Sequence, residues 1–125
     1  MRALGYFRTS ETTSSDNPES YRALSRAFDQ FCVLQSHMSQ GVFSDENSDR
    51  DHSGFDALLS HIRQTGLAYL IVIPSSDHLG SRLSAKVNRI LELDELDCKV
   101  VCDNSEMPDP LQGAIRGLRS QGNDK

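Results

Sequence analysis

Arg8 and Ser10 stand two residues apart in the stretch GYFRTS, directly after a short apolar run. A guanidinium beside a hydroxyl suits chemistry on a phosphate: the hydroxyl oxygen attacks, and the cation takes up charge growing on the phosphoryl oxygens. The same residues also arise where a strand simply ends in a polar loop, and SETTSSDN, residues 10–17, is loop by composition. Two further stretches carry groups of the same kind. Arg50 lies among acids in SDENSDRDHSG, residues 44–54, and a loop of that kind can deliver an arginine to an anion. SSDHLGSR, with Asp77, His78, Ser81 and Arg82, follows AYLIVIP, the most continuously apolar segment of the chain.

Other chemistries find little support. Neither GxGxxG nor GxxxxGK[ST] occurs, and the loop after the first strand holds no glycine, so a glycine-built phosphate cradle is excluded. His37, His52, His61 and His78 show no HExxH or cysteine-paired spacing, and the first three read as surface or structural histidines. Cys32, Cys98 and Cys102 are odd in number and lack metal or redox spacing, so they read as reduced, small buried hydrophobes. No metal site and no cofactor is expected. The acids Glu92, Asp94, Glu95 and Asp97 read as a solvated helix face.

The elements that must position Arg8 and Ser10 follow from the hydrophobic pattern. Ala3 to Thr9 reads as a strand. Asn17-Pro18-Glu19 is a helix-start signal, and Tyr21, Leu24, Phe28 and Phe31 recur at helical spacing through about Gln35. A brief strand at Val42-Phe43 precedes the 44–54 loop, and Phe55, Leu58, Leu59 and Ile62 mark a second helix ending near Gly66. AYLIVIP reads as a central parallel strand covered on both faces. Leu79, Leu83, Val87, Ile90 and Leu91 mark a third helix, CKVVCD a fourth strand, and Leu111, Ala114, Ile115 and Leu118 a short last helix. Alternation of strand and helix predicts an α/β fold: a mainly parallel four-stranded sheet with helices on both faces, in three layers, with sites beyond the carboxyl ends of the strands. Arg8-x-Ser10 and SSDHLGSR both fall at that rim.

With 125 residues, 37% hydrophobic and 25% charged, the chain reads as a single domain spanning 1–125, with a disordered tail at 120–125. No run approaches the roughly 18 apolar residues of a membrane span, and no signal peptide is evident, so no membrane partner and a cytoplasmic location are expected. The net charge of −5 argues against strong binding to DNA by this chain alone, since phosphate contacts need a basic surface.

These stretches together resemble a known family. GYFRTS is similar to the first strand of the resolvase/invertase, or small serine recombinase, catalytic domain, roughly G-Y-x-R-V-S, in which the serine is the nucleophile. Ser48-Asp49-Arg50 resembles that family's loop arginine motif, and IVIPSSDHLGSR resembles its strand-to-helix motif, roughly V-x-x-x-D-R-L-G-R. The matches fall in the family's order and cover about residues 1–103.

The resemblance implies a sheet of flavodoxin-like order 2-1-3-4 and DNA strand cleavage and exchange, as in DNA recombination and integration, through a phosphoserine link. Ser10 would be the nucleophile, Arg8 and Arg50 the charge-neutralising cations, and Asp77 a group that orients the arginines or exchanges protons; Tyr6 would pack beneath the site. Two departures matter: His78 and Ser81 stand at family arginine positions. Single transition-state arginines can be worth on the order of 10³-fold, so activity is expected to be impaired unless Arg82 and a protonated His78 compensate. Arg82, four residues from His78, would share its helix face. The loop around Arg50 lacks the family's Ser-Gly approach, and the family's long pairing helix and helix-turn-helix region have no counterpart before Lys125. DNA is thus the implied partner, held weakly without another protein; a protein partner or a homodimer is compatible, and without the long pairing helix a monomer and a different dimer are equally expected. Two functional classes follow: a serine recombinase of reduced activity, or a catalytically silent relative serving as an interaction or regulatory module. An unrelated α/β binding domain is the third reading.

Overall fold

The computed structural model describes residues 1–9, 20–46 and 53–102. Four strands, β1 (Arg2–Thr9), β2 (Met38–Glu46), β3 (Leu70–Ile73) and β4 (Lys99–Cys102), form one sheet in the order β2-β1-β3-β4, and every neighbouring pair is parallel. The helices α1 (Tyr21–Leu34), α2 (Ser53–Thr65) and α3 (Leu83–Glu95) supply the crossovers, and a 3-10 turn, Ser76–Leu79, lies between β3 and α3. Parallel crossovers are right-handed almost without exception. The step from β1 to β2 runs one way along the sheet, and the steps from β2 to β3 and β3 to β4 run the other. Handedness therefore places α1 on one face and α2 with α3 on the opposite face.

The core divides accordingly. Ala3, Leu70 and Val72 pack with Phe28 and Cys32 of α1. Leu4, Tyr6, Ile71 and Ile73 pack with Phe55, Leu58, Leu59 and Ile62 of α2 and with Val87, Ile90 and Leu93 of α3. All four residues of β3 are buried, which is why its sequence is continuously apolar rather than alternating. Gly5 admits α1 to the sheet: a Cβ there would lie 3.0 Å from the Phe28 ring and 2.9 Å from Val42. The expected three-layer arrangement and its strand order are thus the observed ones.

Element boundaries differ from the sequence reading at several places. The described part of α1 starts after Ser20, whose Oγ accepts the Ala23 N–H at 3.2 Å and so caps the helix three residues beyond Asn17. β2 spans nine residues rather than a brief pair. Ser44 to Glu46 are strand and Ser53-Gly54 are helix, so both ends of the expected 44–54 loop belong to regular elements, while residues 47–52 lie outside the described residues. Composition hid both ends because a polar residue closing a buried element looks like loop until its partners are known.

Gly66 closes α2 as expected, with φ +66° and its N–H on the Ile62 carbonyl. The third helix does not carry one stripe from Leu79 onward: Gly80, at φ +144°, separates the 3-10 turn from α3. Leu79 and Leu93 are buried, whereas Leu83 in the first turn of α3 is 48% exposed. The loop at 10–17, the last helix at Leu111–Leu118 and the tail at 120–125 lie outside the described residues. Among the described residues no helix is long and apolar enough to cross a membrane.

Candidate active site at the carboxyl end of the sheet

The strand order reverses between β1 and β3, and β1 outruns its neighbour there. Pairing with β3 ends at Gly5, while pairing with β2 continues to Thr9 and Glu46. Beyond Gly5, therefore, one flank of β1 faces β2 and the other faces the turn that follows β3. This is where open α/β sheets form their crevice.

Leu4, Tyr6 and Arg8 share the sheet face covered by α2 and α3, because side chains alternate along a strand. In the parallel register Arg8 stands beside Asp45, which puts this carboxylate on the same face. The Tyr6 hydroxyl donates to Asp45 Oδ2 at 2.6 Å. Asp45 also accepts the N–H groups that open α2: Gly54 N–H on Oδ1 at 2.5 Å and Phe55 N–H on Oδ2 at 3.0 Å. A carboxylate aimed at the first amides of a helix satisfies donors that have no intrahelical acceptor and complements the helix dipole. Asp45 is only 4% exposed, so these bonds replace its hydration.

Gly54 is required for this approach. A Cβ at that position would lie 2.1 Å from the Ser44 carbonyl oxygen and 2.8 Å from Asp45 Oδ1. Tyr6 is held further by edge-on packing against Phe55, with ring centroids 5.4 Å apart. Burial, then the bond to Asp45, pushes the Tyr6 phenol well above its ordinary value, with the Arg8 guanidinium pulling the other way. Arg8 itself is 5% exposed. Its cation is therefore set within the fold beside a phenol and a carboxylate.

The other flank is closed by SSDHLGSR. The Arg8 backbone N–H donates to His78 Nδ1 at 2.8 Å, joining the end of β1 to the 3-10 turn. Arg89 braces the turn from α3: its guanidinium donates to the Leu79 carbonyl at 2.6 Å and lies 5.1 Å over the Phe55 ring. Asp77 is 82% exposed at its side chain and forms an ion pair with Lys86 of α3 at 2.8 Å. That bond, then the Lys86 charge, lowers the Asp77 carboxyl from its ordinary value.

The sequence-derived site residues thus separate into groups. Tyr6, Arg8 and His78 meet at the crevice. Asp77 pairs with Lys86 of α3 at the outer side of the turn. Arg82 is the exposed N-cap residue of α3, across Gly80 from His78. It therefore does not share a helix face with His78, because the i, i+4 relation needs a continuous helix. Ser81 is exposed beside it. Ser10 and Arg50 lie outside the described residues. His78 Nδ1 serves as the acceptor of the Arg8 N–H, and a ring nitrogen in that role carries no proton of its own.

Asp45 and Lys86 were missed. Asp45 was hidden in an acidic run, and its signal, the position opposite Arg8 in a parallel register, exists only once strand pairing is known. The structural reading of two histidines holds. His61 packs between Phe43 and Tyr69, with centroids 5.6 and 5.9 Å away, and His37 stacks on Phe31. Cys32 and Cys98 are buried free thiols, and no disulfide joins the three cysteines to one another. Among the described residues no group of three His, Cys, Asp or Glu side chains converges as a metal site.

No protein-family model matches the sequence, and no curated protein matches it. Solved structures do. The N-terminal catalytic domain of TP901-1 integrase is similar over 98% of this chain and 94% of that one, with TM-score 0.77 and 10% identity. A resolvase family site-specific recombinase from Streptococcus pneumoniae is similar over 99% and 89%, with TM-score 0.70 and 11% identity. The C-terminal catalytic domain of ISC1926 TnpA, an IS607-like serine recombinase, is similar over 97% and 80%, with TM-score 0.68 and 18% identity. With its order β2-β1-β3-β4 and near-complete overlap with these domains, the chain has the serine recombinase catalytic-domain fold.

Proposed function

We propose that this chain acts on DNA as a serine recombinase catalytic domain, with Ser10 as the nucleophile. The observation that carries the reading is the junction at the switch point: Arg8, two residues before Ser10, is joined through its backbone to the turn of the DHLGSR stretch. Two of the three stretches that resemble the family thus meet on a fold shared with serine recombinase catalytic domains.

In the reaction the Ser10 hydroxyl loses its proton as its oxygen bonds to phosphorus, and a phosphorus–oxygen bond to deoxyribose breaks. The products are a phosphoserine link and a free DNA hydroxyl, and reversal of the same step onto a new hydroxyl exchanges strands. Arg8 and Arg50 neutralise the non-bridging oxygens, and Arg82 adds positive charge from the exposed start of α3. The net charge of −5 leaves most of the DNA affinity to another protein.

The test traps the protein on supercoiled DNA and looks for a covalent adduct. Adduct formation that disappears in Ser10→Ala is the expected result. No adduct with wild type, with or without an added DNA-binding partner, refutes the enzyme and leaves the second reading, a catalytically silent interaction module. That second reading is favoured by one observation: His78, at a family arginine position, has its Nδ1 taken by a backbone N–H.

A further inference from the structure

We propose that His78 is a positioning residue, neutral in the working protein, whose Nδ1 fixes the backbone at Arg8, two residues before Ser10 in the sequence. The inference rests on the proposed function for what Ser10 does, but not for the contact itself. β3 stops pairing with β1 at Gly5, because the chain turns away after Ile73 into the 3-10 turn. Beyond that point an N–H of β1 directed toward the vacated flank has no strand to receive it. A part-buried amide left in that state costs free energy comparable to a lost hydrogen bond. His78 Nδ1 takes the place of the missing strand carbonyl, 2.8 Å from the Arg8 nitrogen.

The substitution has a chemical consequence. An arginine has five donors and no acceptor, so it cannot receive this N–H. A residue that serves here as an acceptor therefore gives up the role of phosphate-binding cation. Among the described residues the positive charge of the site then rests on Arg8 and Arg82, and His78 contributes geometry. The ring is itself held: it belongs to a turn braced by Arg89 on the Leu79 carbonyl and tied to α3 by the Asp77–Lys86 ion pair. Such support is what lets one imidazole fix a backbone position.

The experiment uses nitrogen-15 labelled full chain at pH 7. Ring spectra are expected to report His78 with Nδ1 unprotonated and the proton on Nε2, with a scalar coupling across the hydrogen bond between the Arg8 amide nitrogen and His78 Nδ1. A cationic ring, the Nδ1–H tautomer, or no coupling overturns the proposal, and none of these readouts needs a variant that folds. Three variants extend it. In His78→Asn the side-chain Oδ1 stands as many bonds from the backbone as Nδ1 does, whereas in His78→Gln the acceptor lies one bond further and in His78→Ala there is none. Arg8 amide exchange is expected to rise on the order of fivefold in the Ala and Gln variants and to stay near wild type in the Asn variant. Equal exchange in the Asn and Ala variants overturns the acceptor role. Should wild type form no DNA adduct while the coupling and this ranking hold, the recombinase reading falls and the positioning role stands; an adduct without the coupling gives the reverse.

Discussion

Replacing Asp45 by alanine strands three donors at once: the Tyr6 hydroxyl and the Gly54 and Phe55 amides, received at 2.6, 2.5 and 3.0 Å. A buried donor left without its acceptor costs about 1–3 kcal/mol. Some relief comes from water reaching the amides at the start of α2, so the net loss is expected near 4 kcal/mol. A single domain has only about 5–15 kcal/mol to lose. With a urea slope near 2 kcal/mol/M, the midpoint should fall by about 2 M at unchanged slope. The discriminating measurement is a double-mutant cycle with Tyr6→Phe. Alone, that change removes one donor to a carboxylate and costs about 1–2 kcal/mol; in the Asp45→Ala background the hydroxyl has already lost its acceptor, so the second change should be nearly neutral. An Asp45→Ala loss below about 1 kcal/mol, or a Tyr6→Phe effect equal in both backgrounds, refutes the reasoning that Asp45 gathers strand, helix and phenol into one unit.

Two further outcomes follow from the same region. Gly54→Ala should destabilise by about 3 kcal/mol or more in urea titration, because the added Cβ meets the backbone oxygen of Ser44 and not a side chain that can turn away. Tyr6 should stay neutral where a free phenol is half ionised, at about pH 10; its raised folded value means that its contribution to stability is full below that pH and is lost progressively as pH rises from there to the higher folded value. Ultraviolet titration of Tyr6→Phe should accordingly show the same tyrosinate rise at pH 10 as wild type, and a smaller rise would show that Tyr6 is ionising there.

Hydrophobic period was a reliable guide where an element packs along its whole length. β3 read correctly because both faces are covered, and α2 read correctly because Phe55, Leu58, Leu59 and Ile62 all face one core. The third helix misled because Leu79 and Leu83 lie four apart yet belong to different elements: the left-handed φ of Gly80 restarts the helix phase, turning Leu83 to solvent and leaving Leu93 to fill the core. A glycine between apolar residues can be a helix residue or a break, and local sequence does not choose between them.

The sequence by itself determined which groups with phosphate chemistry exist, Arg8-x-Ser10, Arg50 and the DHLGSR stretch, and that strand and helix alternate, because both are properties of residue type and spacing. The tertiary structure decided which of those groups act on one another. Parallel register set Asp45 beside Arg8, the early end of β3 left an amide for His78 to receive, the packing of α3 paired Lys86 with Asp77, and the break at Gly80 separated Arg82 from His78. Each of these depends on where a neighbouring strand stops or a helix restarts. Such endpoints are fixed by long-range packing and hydrogen-bond completion, and no stretch of local sequence encodes them.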